Sequence, residues 1–437
     1  MTKKQLYITV GIIAVVALGF LLASYLISRR AAESGVETTN PFANFFPFGK
    51  SEKIKTTDLG NTDNETAGEG TENINTEGGG GGFLVLRTVS QKPVAGLFSY
   101  IRSGKTYVEY IEKETGNVYE MKMEDMRPSR LSNSLITRVS EAYFGNDGGM
   151  VVLRYLKPKS DAITTFILDL SKITRGTLPE DNATTTASDN SPLPNGKFLA
   201  SGIRDVKVSE DTKGLFYLTR TGDFTDRLSV GSVFDFQKNT SSDVFLSPFS
   251  EWLPVYFDGH TAILQTKASR NVPGFLYSFN IKTGDLQKII GDISGLTALP
   301  SHDNQKIVYS ESTRNGVTLH IYDRKDSSTK DFFLQTLPEK CVWKKDNASL
   351  YCAVPSSFPS GEYPDSWYQG ISSFSDNIWE INAITGKTTS VFVPGSLTMK
   401  LLDMTNLTLS PSEDFLFFIN KRDSSLWAFD LAGGWEE

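Results

Sequence analysis

The chain has 437 residues, a formal net charge of -7 and a pI near 5.3, so no basic field is present to neutralise nucleic-acid phosphates and no nucleic-acid partner is expected. Three histidines (His260, His302, His320) and two cysteines (Cys341, Cys352) leave little material for a metal centre, and neither a metal nor a cofactor is expected. Aromatic, glycine and small polar residues are plentiful, the composition of many short strands joined by turns.

After a short tail at 1–5, Leu6 to Ile27 reads LYITVGIIAVVALGFLLASYLI with no charge. A helix of about 22 residues covers the roughly 30 Å hydrocarbon core of a bilayer. Tyr7 and Tyr25 sit near its ends, where amphipathic rings favour the membrane interface. A cleaved signal peptide has a shorter apolar region and a small-x-small site, whereas Arg29-Arg30 follows here. The sequence therefore predicts one transmembrane α-helix over 6–28. Lys3 and Lys4 before it nearly balance Arg29 and Arg30 after it, so charge alone leaves its orientation open.

Residues 29–82 are rich in Thr, Asn, Glu and Gly and poor in large apolar side chains, as expected of a disordered, low-complexity linker. One patch stands out: Pro41 to Phe48 carries Phe42, Phe45, Phe46 and Phe48. It reads either as a surface-packing segment or as a short docking motif.

From Phe83 onward a unit of about 45 residues recurs, a period typical of repeat architectures. The last copy is the clearest: LTLSPSED, FLFFINKRDS and SLWAFDL between Leu407 and Leu431. Six looser copies precede it, and segments such as TYVEYIE and KIVYSES alternate with the period of two that marks half-buried strands. Seven units of four short strands predict an all-β, seven-bladed β-propeller over 83–437, with six or eight blades as alternatives because the first unit is the least regular. The last unit has three strands, and an orphan β-like run at 83–90 is expected to supply the fourth, leaving no open edge.

Units of the form L-S-P-S-E-D-x-L-F-F-I followed by L-W-A-F-D-L resemble the PD40/TolB-type propeller repeat, related to the WD40 class. The resemblance spans most of 83–437; it implies the fold and says little about function. The GH and WD signatures of true WD40 blades are absent, so their usual partners are not implied. An anchor followed by a propeller is also similar to dipeptidyl-peptidase-type proteins, which add a hydrolase domain beyond the propeller.

No G-x-S-x-G elbow, H-E-x-x-H pair or Walker-type loop occurs, and no catalytic residue is assigned. A sugar-cleaving propeller would need two carboxylates facing across its channel, and turn-rich Asp and Glu spacing cannot place such a pair. Cys341 and Cys352 flank a turn at Asp346–Ser349. If Trp343 pairs with Leu350, the same register sets the two cysteines opposite one another, within disulfide reach. Two buried thiols are the alternative. A disulfide would place the domain in an oxidising, extracytoplasmic compartment.

Two insertions interrupt the repeat, at about 175–197 and at 355–376. The second holds Phe358, Tyr363, Trp367, Tyr368 and Phe374 between the second and third strands of blade six. Exposed Tyr and Trp on loops make recognition hot spots; folded back, the same rings would cap the blade. The expectation is a membrane-tethered binding or scaffold module presenting this loop to a protein or cell-envelope glycan. An extracytoplasmic, glycan-active enzyme with its site in the channel is the alternative.

Overall fold

The computed structural model describes residues 86–132, 136–157, 162–171, 196–221, 228–396, 398 and 400–432. The expected membrane helix, the linker with Phe42, Phe45, Phe46 and Phe48, and most of the insertion at 175–197 lie outside these residues. No helix among the described residues is long and apolar enough to cross a membrane.

Each repeat folds as a four-stranded antiparallel sheet, and there are seven such blades. The first described strand, β1 (Leu86–Ser90), belongs to the last of them. Blade one holds β2 (Val94–Arg102), β3 (Lys105–Glu112), β4 (Val118–Lys122) and β5 (Pro128–Arg130). Blade two holds β6 (Val139–Gly145), β7 (Met150–Leu156), β8 (Ile163–Asp169) and β9 (Gly196–Phe198). In blade three come β10 (Asp205–Val208), β11 (Gly214–Thr221), β12 (Leu228–Asp235) and β13 (Thr240–Ser247). Blade four follows with β14 (Trp252–Phe257), β15 (Thr261–Thr266), β16 (Pro273–Asn280) and β17 (Leu286–Ser294). Blade five has β18 (Thr297–Pro300), β19 (Lys306–Thr313), β20 (Gly316–Asp323) and β21 (Ser328–Phe332). Blade six has β22 (Cys341–Trp343), β23 (Ser349–Pro355), β24 (Asp376–Asn382) and β25 (Thr388–Phe392). Blade seven combines β26 (Met404–Leu409), β27 (Phe415–Asn420) and β28 (Leu426–Asp430) with β1 on its outer edge.

Local chemistry explains the recurring first turn. In Ser209-Glu210-Asp211 the serine hydroxyl donates to Asp211 at 2.6 Å and accepts the Gly214 N–H at 2.8 Å. The same arrangement recurs at Ser301 with Asp303 and Lys306, and at Ser410 with Asp414 and Phe415. Each hydroxyl thus satisfies backbone groups that the hairpin cannot pair itself.

The seven seams between neighbouring blades each bury an apolar cluster of their own. The seam between blades seven and one joins Val89, Phe417, Leu426 and Ala428 to Val94, Val108, Tyr110 and Met121. There β1 pairs antiparallel with β28 in the register Leu86 to Phe429 and Thr88 to Trp427. Two polar contacts reinforce it: the Val94 N–H donates to Ser424 O at 2.8 Å, and the Arg87 guanidinium to Met123 O at 3.1 Å. Because strands alternate in direction, first-to-second and third-to-fourth turns share one face of the ring. Second-to-third loops and blade-to-blade connections share the other, and β1 enters from the first.

Leu426 has no exposed surface and packs across this closing seam. Leu426→Ala is expected to lower the unfolding free energy by about 2–5 kcal/mol, read from denaturant titration of the full chain. A near-neutral result would mean that the seam contributes little to holding the ring closed.

Candidate functional site: the blade-six cap

The insertion between β23 and β24 folds as a cap with a one-turn helix, Asp365–Tyr368. It leans over its neighbours on the face of the connecting loops. Tyr363, Trp367 and Phe374 are buried together with Val317 and Leu337, and Phe358 packs against them half-buried. Phe374 stacks on Tyr363 at 5.5 Å and on Trp367 at 6.2 Å between ring centroids. Of the five aromatic residues expected to meet a partner, only Tyr368 is exposed, and its hydroxyl donates to Glu339. Burial has a simple cause: a loop of this length carrying four large rings removes more apolar surface from water by folding back than by standing out.

Polar contacts fix the cap to three further blades. Ser312 of blade five donates to Tyr363 O at 2.6 Å, and the Arg270 N–H of blade four donates to Asp365 at 2.7 Å. From blade seven, Lys421 donates to Trp367 O and Arg422 to Phe374 O. Gly316, at φ 138°, admits the Phe358 ring: a Cβ there would stand 3.3 Å from its Cδ1.

Beneath the cap lies an ionic cluster with no solvent exposure at any of its three side chains. Lys340 Nζ donates to Asp403 Oδ1 at 2.6 Å, to Asp376 Oδ2 at 2.8 Å and to Met404 O at 2.9 Å. Asp403 Oδ2 accepts from Trp367 Nε1 at 3.1 Å, Ser373 Oγ at 3.0 Å and the Phe374 N–H at 3.0 Å. Asp376 Oδ2 also accepts the Met404 N–H at 2.7 Å, while its Oδ1 is buried without a hydrogen-bond partner. Burial pushes the Asp376 carboxyl up to about 6 against the pull of Lys340. Burial would raise Asp403 too, but Lys340 and the donors from Phe374 and Trp367 hold it below the usual carboxylate value. Sequence reasoning missed this cluster, since Lys340, Asp376 and Asp403 are far apart in the chain and carry no motif.

Cys341 lies directly opposite Cys352 and is disulfide-bonded to it, with Cα atoms 4.1 Å apart. The histidines sit elsewhere. His320 stacks on Tyr309 at 4.9 Å and contacts Asp331 at 2.7 Å. His302 meets Glu210 at 3.1 Å, linking the first turns of blades five and three. Among the described residues no group of three or more His, Cys, Asp or Glu is placed to hold a metal.

The channel contains a cavity of about 350 Å³ between the inner strands of blades one, two, three and seven. Glu141, Tyr143, Lys207, Asn406 and Thr408 give it polar walls. Glu141 is the one carboxylate lining it, and Arg154 binds that carboxylate at 2.5 Å. Two opposed carboxylates, the usual equipment for hydrolysis of a glycosidic bond, do not line this cavity.

No protein-family profile and no curated protein sequence matches the chain. Solved structures similar to it include an oligogalacturonate lyase from Vibrio parahaemolyticus at 9% identity, TM-score 0.48, covering 78% of this chain and 97% of that one. An acylaminoacyl peptidase from Pyrococcus horikoshii shows 12% identity and TM-score 0.47 over 78% of this chain and 51% of that one. TolB from Acinetobacter baumannii shows 12% identity and TM-score 0.39 over 77% and 79%. At these identities and scores the likeness carries no inference about what this chain does.

Trp367→Phe keeps a ring in the cap while removing the donor to Asp403. It is expected to lower stability by about 1.5–3 kcal/mol, the range for hydrogen bonds to charged groups, read as a shift in denaturant midpoint at constant slope. The pair His302–Glu210 makes a separate, pH-dependent contribution. Its hydrogen bond to Glu210 raises the His302 pKa, so the stability it adds is full below the ordinary value near 6.5 and fades as pH climbs through the folded value. Glu210, held low by His302, adds stability that is full above the ordinary carboxylate value and fades as pH falls through its folded one. His302→Gln should therefore cost most at about pH 5–6, by roughly 0.2–1 kcal/mol for a partly exposed pair, and almost nothing at about pH 9. A difference that persists undiminished at the alkaline end would show that the ion pair is not its source.

Proposed function

We propose that this chain is a membrane-tethered binding module whose partner docks on the propeller face carrying the second-to-third loops and the blade-to-blade connections. One observation carries the reading: apolar exposure in the connecting segments is concentrated on that face. Phe249, Val272, Phe333, Tyr368, Ile371, Val393 and Leu401 all lie in its loops, whereas Ile384 is the one exposed large apolar residue in the turns of the opposite face, among the described residues. Phe333 is fully exposed, and Tyr368 and Ile371 ride on or beside the helix of the anchored cap. Apolar groups carried on an anchored cap lose less entropy when a partner covers them than the same groups on a free loop. The three buried aromatic residues of the cap, with half-buried Phe358, then act as support, and the contact surface is Phe333, Tyr368 and Ile371.

A protein or an envelope glycan would fit such a face. The uncharged run at 6–28 supports the tether, and the Cys341–Cys352 bond supports an oxidising, extracytoplasmic location for the propeller. The glycan-cleaving alternative is less well supported, since the channel cavity presents a single, arginine-bound carboxylate.

A photo-reactive benzoylphenylalanine placed at Phe333 or Ile371 in the full chain, in native membranes, tests the reading. Discrete adducts are expected from both positions and none from the same probe at Ile384 on the opposite face. Equal labelling from both faces, or none from Phe333 and Ile371 in abundant, intact protein, would overturn it.

A further inference from the structure

We propose that Lys340 and Asp403 condense to an amide that covalently joins blade six to blade seven, with Asp376 as the proton carrier. Neither the binding face nor the tether is needed for this inference. It rests on the geometry beneath the cap, where a primary amine and two carboxylates meet with no exposed surface.

Three conditions for the reaction are met together. The nucleophile is at hand: Lys340 Nζ donates to Asp403 Oδ1 at 2.6 Å, beside the Cγ that it would attack once its lone pair is free. Oxyanion stabilisation is in place as well, because Ser373 Oγ and the Phe374 N–H donate to Asp403 Oδ2 at 3.0 Å, with Trp367 Nε1 shared between Oδ2 and Oδ1 at 3.1 Å from each. Asp376 supplies the third condition, a proton carrier: its Oδ2 lies 2.8 Å from the same Nζ, and its Oδ1 has no partner. The Trp367 and Phe374 rings lie 5.1 and 5.2 Å from Nζ and wall the cluster off from water.

The atoms balance without any outside reagent. Lys340 first passes a proton to Asp376 Oδ2, the more basic of the two carboxylates, and Asp376 relays it to Asp403 Oδ1, leaving a neutral amine beside a neutral acid. The Nζ lone pair attacks Cγ, a C–N bond forms, and the carbonyl electrons move onto Oδ2, which the three donors hold. Asp376 takes one proton from the positively charged nitrogen and delivers it to the Oδ1 hydroxyl. The C–Oδ1 bond breaks, one water leaves, and Asp376 returns to its starting state. In bulk water such a condensation runs uphill because the free ions are well solvated. Here burial has already removed that solvation, so exchanging the buried charges of Lys340 and Asp403 for a neutral amide relieves their penalty, and Asp376, left without its cation, then takes up a proton and stays neutral. A carboxyl raised to about 6, as burial makes Asp376, accepts and returns a proton more readily than an ordinary one.

Mass spectrometry of the full-length chain tests this directly. The intact mass is expected to be one water lighter than the sequence with its disulfide requires. Proteolysis should release a branched peptide linking the segments around Lys340 and Asp403. Asp376→Asn, which keeps the size of the side chain, should fold and lose the mass deficit, and Lys340→Met should lose it as well. A wild-type chain at full mass would overturn the proposal whatever the variants do. So would a water loss that maps to any other pair, Lys340 with Asp376 included. Retention of the link in Asp376→Asn would overturn the proton-carrier role.

Discussion

A propeller blade has two apolar faces and can bury neither alone, and every other feature of this molecule follows from that constraint. Each sheet covers its faces with its two neighbours, so the core is divided into seven seams and none of them is optional. A chain arranged in a ring must also close. Here the first described strand lies on the outer edge of the last blade, so the two ends of the domain share one sheet. Opening the ring would break the β1–β28 ladder and expose the apolar cluster around Leu426 and Val108 at the same time. Closure of this kind turns a row of modest packing interfaces into one cooperative unit.

Closure also separates the two faces by what they can display. The tight first-to-second turns are occupied with their own hydrogen bonds, as Ser209, Ser301 and Ser410 show, and leave little room for variation. The longer connections on the other face tolerate insertions, and blade six uses this freedom for its cap. A loop spanning four blades would ordinarily be mobile and a poor platform for recognition. This one has its own apolar core, and Trp367, Ser373 and Phe374 all donate to one buried carboxylate, that of Asp403. Rigidity is therefore built from below, and the residues left outermost on the cap, Tyr368 and Ile371, ride on that support.

Much of this was legible in the sequence, for a physical reason: strand alternation, turn chemistry and hairpin register are local. The repeat from Phe83 onward gives the propeller; the count of seven blades, which spacing alone left beside six and eight, follows from the sheets. Cys341 opposite Cys352 is set by a single short turn, which fixes the pairing without reference to the rest of the ring. The fate of the cap aromatics was not legible. Whether Trp367 points outward or inward depends on Asp403, which belongs to the next blade and reaches the cap only after the ring has formed. Composition says that a loop is rich in rings, but burial is decided by partners from other repeats. Lys340 illustrates the same limit, because a lone lysine before an inner strand looks like any solvated charge until two aspartates from distant segments surround it.

The ionic cluster is the least economical feature of the fold, and that is why it is informative. One ammonium and two carboxylates with no solvent access leave a net negative charge in an apolar setting, and apolar residues of similar volume would commonly serve stability as well or better. Its position offers a reason for its presence. It lies where blade six, blade seven and the cap meet, next to the one disulfide among the described residues, so the start of the strand at Cys341 is held twice, by the ion pairs of Lys340 and by the bond to Cys352. If the charges served only to orient the cap, a single carboxylate accepting from Trp367, Ser373 and Phe374 would be enough. A second carboxylate with an unpaired oxygen, facing the same amine, adds desolvation cost, and the one other donor it binds is the Met404 N–H of blade seven, not a group of the cap. That surplus group is what a proton-transfer step requires and what a purely structural ion pair does not.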